Sequence, residues 1–369
     1  MSSQLLDTAA PLSVPVAEPP KNRLTRQEAL KLLLDEPLLS LGLQAEAEKA
    51  KRFGSDDPVT FVIDRNVNYT NVCTIDCMFC AFYRPPGHEE AYVHSFETLQ
   101  PKIQELVDMN GTQLLLQGGV NPELPFSYYT DLISQIRAHY PELTIHGFSP
   151  TEIQQMADGA GYDLKTTLQK LVEAGLSSIP GAGGEILDDA VRQKVSRKKV
   201  DTNGWLRVME TAHQLGLRTT ATMMFGMIEQ PEHIINHLFR LREVQDRTGG
   251  FTAFIPWTFQ APNTRLAKLG HMATGEEYLR VLAVSRLVLD NFDHIQSSWL
   301  TQGLKLCQTG LYFGADDVGG LVLEENVVTQ AGIKDETQSL ETMVKLIHKT
   351  GKDAAQRDTA YNILRRFAR

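Results

Sequence analysis

Short β-prone apolar runs return along this chain with a regular beat: Val59–Ile63, Thr112–Leu116, Leu143–Phe148, Ser177–Ile179, Arg218–Phe225, Phe251–Trp257, His294–Trp299 and Leu311–Phe313. Between them lie segments such as SFETLQPKIQELVDM, NGWLRVMETAHQLG and GEEYLRVLAVSRLVLDN, whose apolar residues fall at helical spacings. Alternation of this kind builds a parallel sheet with helices packed outside it. Eight repeats suit an α/β fold of the (β/α)8 TIM-barrel type, since a doubly wound sheet usually has fewer strands and a Gly-rich first turn. The predicted organisation is a disordered Pro- and Ala-rich lead-in over 1–24, an N-terminal helical extension over 25–57, the barrel over 58–332 and a C-terminal helical extension over 333–369. The first extension opens at TRQE, where Thr25 and Glu28 make a capping box ahead of a Leu30, Leu33, Leu34 stripe.

A barrel carries its chemistry where the strands end, at the C-terminal mouth. Here those ends read QGG (Gln117–Gly119), FSPTE (Phe148–Glu152), PGAGGE (Pro180–Glu185), FGMIE (Phe225–Glu229), IPW (Ile255–Trp257), SSW (Ser297–Trp299) and GADD (Gly314–Asp317). Glycine or a polar group closes nearly every strand. Strand ends in any fold carry turn residues, so each segment alone is open to that plainer reading.

The end of the first strand differs. NYTNVCTIDCMFCAFYR places Cys73, Cys77 and Cys80 in one loop of a chain that has only four cysteines. Disulfide frameworks belong to small secreted chains, and 369 residues with 42% hydrophobic content can hold themselves together by burial. Metal or redox chemistry is the better reading. Thiolates suit iron-sulfur clusters or zinc. Three thiolates leave one iron of a four-iron cubane open for a substrate or cofactor. The alternative is a zinc staple completed by Cys307 or His88, although zinc sites usually pair thiols as two C-x2-C knuckles. Cys307 falls on the apolar face of a predicted helix and reads as a buried small hydrophobe.

C-x3-C-x2-C with an aromatic, Phe79, before the last cysteine is similar to the signature of the radical S-adenosylmethionine (SAM) enzymes. The resemblance implies a 4Fe-4S cluster on Cys73, Cys77 and Cys80, SAM chelated to the open iron, and a hydrogen-abstracting 5'-deoxyadenosyl radical. It also implies SAM contacts at Phe79, at Gln117, Gly118 and Gly119, at Glu229 in the TMMFGMIE strand, and at Ser149 and Glu185. Ser149 reads equally well as a helix cap. The usual acidic third residue of the glycine motif is replaced by Val120, and Thr222 stands where the adenine-binding strand usually starts with glycine.

The likeness extends from about Asp64 to Gly332, through FSPTEI, SIPGAGGEIL, GGFTAFIPWTFQAPNT and GADDVGGLVLEENVV, and resembles the subfamily of futalosine-pathway menaquinone enzymes and deazaflavin-forming synthases. Its cyclising branch implies ring closure on a small-molecule substrate, dehypoxanthine futalosine. Sibling aminofutalosine-forming and deazaflavin-forming enzymes share the machinery. Such chemistry needs a dry site, a carboxylate anchor and a proton acceptor. Arg84 is the candidate anchor, Trp257 and Trp299 the walls, and Glu185, Glu229, Asp316 and Asp317 the candidate acceptors. His146 and His294 lie within strands and read as hydrogen-bonded interior residues. The implied partner is an electron donor such as flavodoxin or ferredoxin. Thirty-six basic against 45 acidic residues, with no long basic run, argue against nucleic acid. No run of eighteen apolar residues and no signal-like start point to a cytoplasmic protein with no membrane partner.

Overall fold

The computed structural model describes residues 23–369 apart from 55–56 and 334–336. Two helices, α1 (Arg26–Asp35) and α2 (Leu38–Ala50), precede a strand β1 (Val59–Val62). Then come β2 (Asp64–Asn68), α3 (Phe96–Asp108), β3 (Gln113–Gln117), α4 (Phe126–His139), β4 (Thr144–Gly147), α5 (Pro150–Ala160), α6 (Leu164–Ala174) and β5 (Ser178–Ile179). The middle of the chain gives α7 (Asp189–Val195), α8 (Thr202–Gln214), β6 (Arg218–Phe225), α9 (Pro231–Thr248), β7 (Phe251–Thr258), α10 (Gly275–Val288) and β8 (His294–Ile295). It ends with α11 (Gly303–Gly310), β9 (Asp317–Gly320), α12 (Val327–Gln330), α13 (Leu340–His348), β10 (Ala354–Arg357) and β11 (Ile363–Phe367).

Strands β2 to β8 form one seven-stranded parallel sheet in chain order, curled as a TIM-type barrel requires. The gap between its edges is spanned by β9. On one side Gln296 bridges to Asp317; on the other β9 pairs with β1, and Leu323 N donates to Asp64 O at 3.1 Å. β9 also belongs to a second sheet of order β11-β10-β1-β9.

Local signals fix many helix ends. Thr25, Ser149 and Thr274 each close a capping box with a glutamate three residues on, and α9 starts with Pro231 at its first turn and stops at Gly249 in the left-handed region. The apolar faces so positioned bury Ile133 and Ile136 of α4, Leu168 and Leu171 of α6 and Trp205 of α8 against the outside of the sheet.

Three expectations change. The run Leu311–Phe313 is the turn after α11, with Phe313 packed on α2 where a Cβ at Gly42 would lie 2.9 Å from its ring. The eighth barrel position is instead Asp-Val-Gly-Gly, low in β-propensity and held extended by partners on both sides. Val59–Val62 is a strand, but it sits in the second sheet, and the barrel begins at the polar Asp64–Asn68. The C-terminal segment contributes one helix and then two strands, because β10 completes the exposed edge of β1. The predicted disordered lead-in lies outside the described residues except at its end, where Arg23 is clamped between Asp246 at 2.7 Å and Asp290.

Strand parity decides what faces the lumen. Asp64, Asn66 and Asn68 of β2, and Gln113, Leu115 and Gln117 of β3, line it, while Val67, Leu114 and Leu116 are buried in the hydrophobic core around it. Where barrels of this class usually pack branched aliphatics, these two strands present amides and a carboxylate.

Candidate active site

The cysteine loop follows β2 and folds on itself by backbone bonds: Cys73 N donates to Arg84 O at 2.9 Å and Arg84 N to Asn71 O at 2.8 Å. Met78 ties it to the rest of the mouth, donating to Val195 O at 2.8 Å and accepting from Leu266 N at 3.0 Å. Arg84 is the clasp. Its Nη1 donates to the carbonyls of Ala81, Phe82 and Tyr83, and its Nε to Glu90 at 2.6 Å. It does not line the cavity, so its candidacy as a carboxylate anchor falls to a loop-holding one.

The loop rests on the end of β3. A Cβ at Gly118 would lie 2.6 Å from the Tyr69 ring, and one at Gly119 would overlap the Val72 carbonyl, so both glycines exist for this close approach. Glu152 knots three strand ends together: it accepts from the Tyr69 hydroxyl at 2.6 Å, Gly118 N at 3.0 Å and Ser149 N at 2.7 Å. Burial pushes its carboxyl up against these hydrogen bonds, which favour the anion. Sequence reasoning missed Glu152; the tyrosine that it holds is 83 positions away.

A cavity of about 450 Å³ runs from this loop down the lumen. Its lining includes Cys73, Cys77, Cys80, Phe79, Gln117, Gly118, Gly119, Ser149, Glu185, Trp257 and Trp299, all singled out from sequence. Ser149 is also the cap of α5. Glu185 sits at φ 34, a left-handed backbone that non-glycine residues seldom adopt. Its Oε1 accepts from Lys199 Nζ at 2.7 Å, while Oε2 is buried, has no hydrogen-bond partner among the described residues and lies 3.9 Å from Arg192. Burial lowers the Lys199 ammonium, but the charge of and hydrogen bond to Glu185 outweigh it and hold it charged. Lys199 also lies 5.2 Å over the Phe79 ring.

The donor set fits an iron-sulfur cluster. Three free thiols share one wall of the cavity, and burial pushes Cys77 up to about 12, so a thiolate there needs a cation beside it, which iron supplies. Among the described residues no three His, Cys, Asp or Glu side chains converge on a single-ion site; a cubane, with separated irons, spreads its thiolates wider. The two proposed fourth ligands lie elsewhere. Cys307 is sealed in the core with its Sγ 3.2 Å from Ser297 O, and exposed His88 accepts from Glu90 N at 3.1 Å.

Three candidate acids are already engaged outside the cavity. Glu229 accepts from Gly226 N and, at 3.0 Å, Met227 N in the turn after β6. Asp316 is buried between Arg286 at 2.5 Å and His294 at 2.6 Å; burial pushes it up, but the histidine hydrogen bond and the arginine charge bring it below the usual range. Asp317 takes a two-bond grip from Arg357, at 2.6 and 3.0 Å. The interior carboxylate overlooked in the sequence is Asp64. It is buried, lines the lumen, and accepts from Val322 N at 3.0 Å. Desolvation raises it to about 6, against the Val322 bond and Arg357. The signal was the D-x-N-x-N alternation of β2. His294 is the interior residue expected, stacked 3.6 Å on Tyr361, whereas His146 both hydrogen-bonds Ser178 and lines the cavity.

A parallel barrel with three cysteines on its first mouth loop can be compared with known proteins. The radical SAM superfamily matches residues 67–241, and the CofH/MqnC C-terminal region matches 248–368. The chain belongs to the radical SAM superfamily. It is 42% identical to cyclic dehypoxanthine futalosine synthase of Halalkalibacterium halodurans over 94% of this chain and 92% of that one. It is 37% identical to the 5-amino-6-(D-ribitylamino)uracil–L-tyrosine 4-hydroxyphenyl transferase of Archaeoglobus fulgidus, over 86% and 92%. The crystal structure of a methylornithine synthase superposes with a TM-score of 0.71, covering 91% of this chain and 95% of that one at 19% identity, which is likeness of fold. As a radical SAM enzyme the chain uses a 4Fe-4S cluster and SAM. No described helix is long and apolar enough to cross a membrane.

Proposed function

We propose that this enzyme closes a ring on dehypoxanthine futalosine to give the cyclic product of menaquinone biosynthesis. Identity of 42% along nearly the whole of a synthase of that name supports the substrate. The observation that carries the reading is the cavity itself: one continuous chamber leads from the three thiols to a polar barrel interior. Cofactor and substrate can therefore meet inside the protein.

When bound, cluster and SAM supply a one-electron cleavage that generates a hydrogen-abstracting radical. The protein's part is placement. Cys73, Cys77 and Cys80 hold the cluster. Glu185, paired with Lys199 at 2.7 Å, with the backbone of Gln117–Gly119, Ser149 and Phe79, surrounds SAM. Trp257 and Trp299 wall the aromatic ring; Trp299 is fixed by donating to Gly320 O at 2.8 Å. A substrate that fills the lumen would displace water from it, which protects a reactive species from side reactions. Asp64 is a lining carboxylate that makes no ion pair within 4.0 Å among the described residues. In this reading the catalytic barrel, β2 to β9, lies within 58–332, flanked by 25–57 and 333–369. The electron donor is a small reductant protein such as flavodoxin or ferredoxin, and the setting is cytoplasmic.

The test is anaerobic incubation of the reconstituted enzyme with SAM, reductant and dehypoxanthine futalosine, followed by mass spectrometry. Expected are 5'-deoxyadenosine and a product two hydrogen atoms lighter than the substrate, containing no adenosyl carbon. An adenosyl group joined to an enolpyruvyl benzoate would assign the chain to the aminofutalosine reaction. Tyrosine-dependent hydroxyphenyl transfer to a ribitylamino-uracil would assign it to deazaflavin formation.

A further inference from the structure

The floor of the lumen, at the N-terminal end of the strands, carries a set of polar groups that neither the cluster nor SAM accounts for. Asp64 and Gln113 open β2 and β3 as register partners, and both are more than nine-tenths buried. Gln296 approaches from β8. The side chains of Gln113 and Gln296 have no hydrogen-bond partner among the described residues, though both line the cavity. The glycines of β9 make room for two of these groups: a Cβ at Gly319 would overlap the Gln296 amide, and one at Gly320 the Asp64 carboxylate.

Hydrogen-bond logic fixes what the floor can offer. The Ser178 hydroxyl donates its one proton to Arg218 O at 2.7 Å, so it must accept from His146 Nδ1–H at 2.8 Å. His146 Nε2 is therefore a bare acceptor on a ring that lines the cavity and that burial keeps neutral. Arg357 reaches in from β10 with Nε and Nη2 on Asp317 and Nη1 on Asp358 O, so its charge is matched while two of its five N–H groups stay unused.

We propose that this floor recognises the hydroxyl groups of the substrate's pentose. The assignment rests on the reading of dehypoxanthine futalosine as substrate and adds where each end of it lies. Hydroxyls donate and accept, which suits two acceptors, two amides and the spare guanidinium N–H groups. A carboxylate would face Asp64 and the His146 lone pair, with the one cation already balanced by Asp317. An aromatic ring would leave every one of these groups unpaired. Hydroxyls on the floor turn the remaining sugar carbons toward the cysteine end and leave the benzoate to the tryptophans.

The holoenzyme with SAM and no reductant binds without turnover, so substrate affinity can be read by calorimetry. Gln113→Leu and Gln296→Leu are each expected to weaken substrate binding about tenfold or more while leaving SAM affinity unchanged. An analogue lacking one ring hydroxyl should bind wild type as weakly, and should lose nothing further in the variant that lacks that hydroxyl's partner. Both leucine variants binding within twofold of wild type would overturn the floor assignment and leave the cyclase reading intact. Wild type that neither binds nor cyclises the substrate overturns that reading and this assignment with it. Should a leucine variant fail to fold, the ring-deoxy analogues on wild type decide, and uniform binding within twofold of the parent counts against the floor.

Discussion

Asp64→Asn tests the electrostatics of the barrel floor quantitatively. Asparagine keeps the shape and the acceptor for Val322 N but removes the charge. Burial holds the folded-state pKa of Asp64 at about 6 against 3.8 for the free carboxyl. A raised pKa means that the folded protein prefers the protonated acid. Wild type therefore has its full stability below pH 3.8 and loses it as pH climbs through 6. At 1.36 kcal/mol per pKa unit the ionised form costs about 3 kcal/mol at pH 8, and only about 0.5 kcal/mol at pH 4. The variant escapes this cost, so it should gain on wild type by roughly 2 to 3 kcal/mol between the two pH values. Denaturant unfolding of both proteins at pH 4, 5, 6 and 8 reads the difference, and the titration of every other group common to the two cancels. A difference that stays flat with pH, or a variant less stable than wild type at pH 8, would refute the reasoning.

Two other outcomes are expected. Cys307→Ala should keep iron and sulfide at wild-type levels while Cys77→Ala loses the cluster, because Cys307 lies in the core, bonded to Ser297 O; equal iron loss in both would break the three-ligand assignment. Gly118→Ala should lose about 1–3 kcal/mol of stability through overpacking against Tyr69, a ring held edge-on by Tyr129 and Phe148. It should also lower cluster content, and a thermal melt and iron content both unchanged would show that the ring yields.

What was legible in the sequence was local. The cluster loop carries its three ligands within eight residues, so no folding was needed to see them together. The capping box of Thr25 with Glu28 is likewise contained in one helical turn. The alternation of apolar runs identified the barrel because parallel strands need helices between them. The strands it misplaced were those whose own residues do not favour extension: Asp64–Asn68 is polar because it faces a chamber, and Asp317–Gly320 is glycine-rich because Gln296 and Asp64 lie against it. Which acid is available could not be read along the chain. Asp64, Asp316, Asp317 and Glu229 all stand near strand ends, but Arg286 reaches Asp316 from 30 positions away and Arg357 reaches Asp317 from 40. A carboxylate's chemistry follows from the charges and water within a few ångströms of it, and only the closing of the barrel brings those neighbours together or shuts the water out.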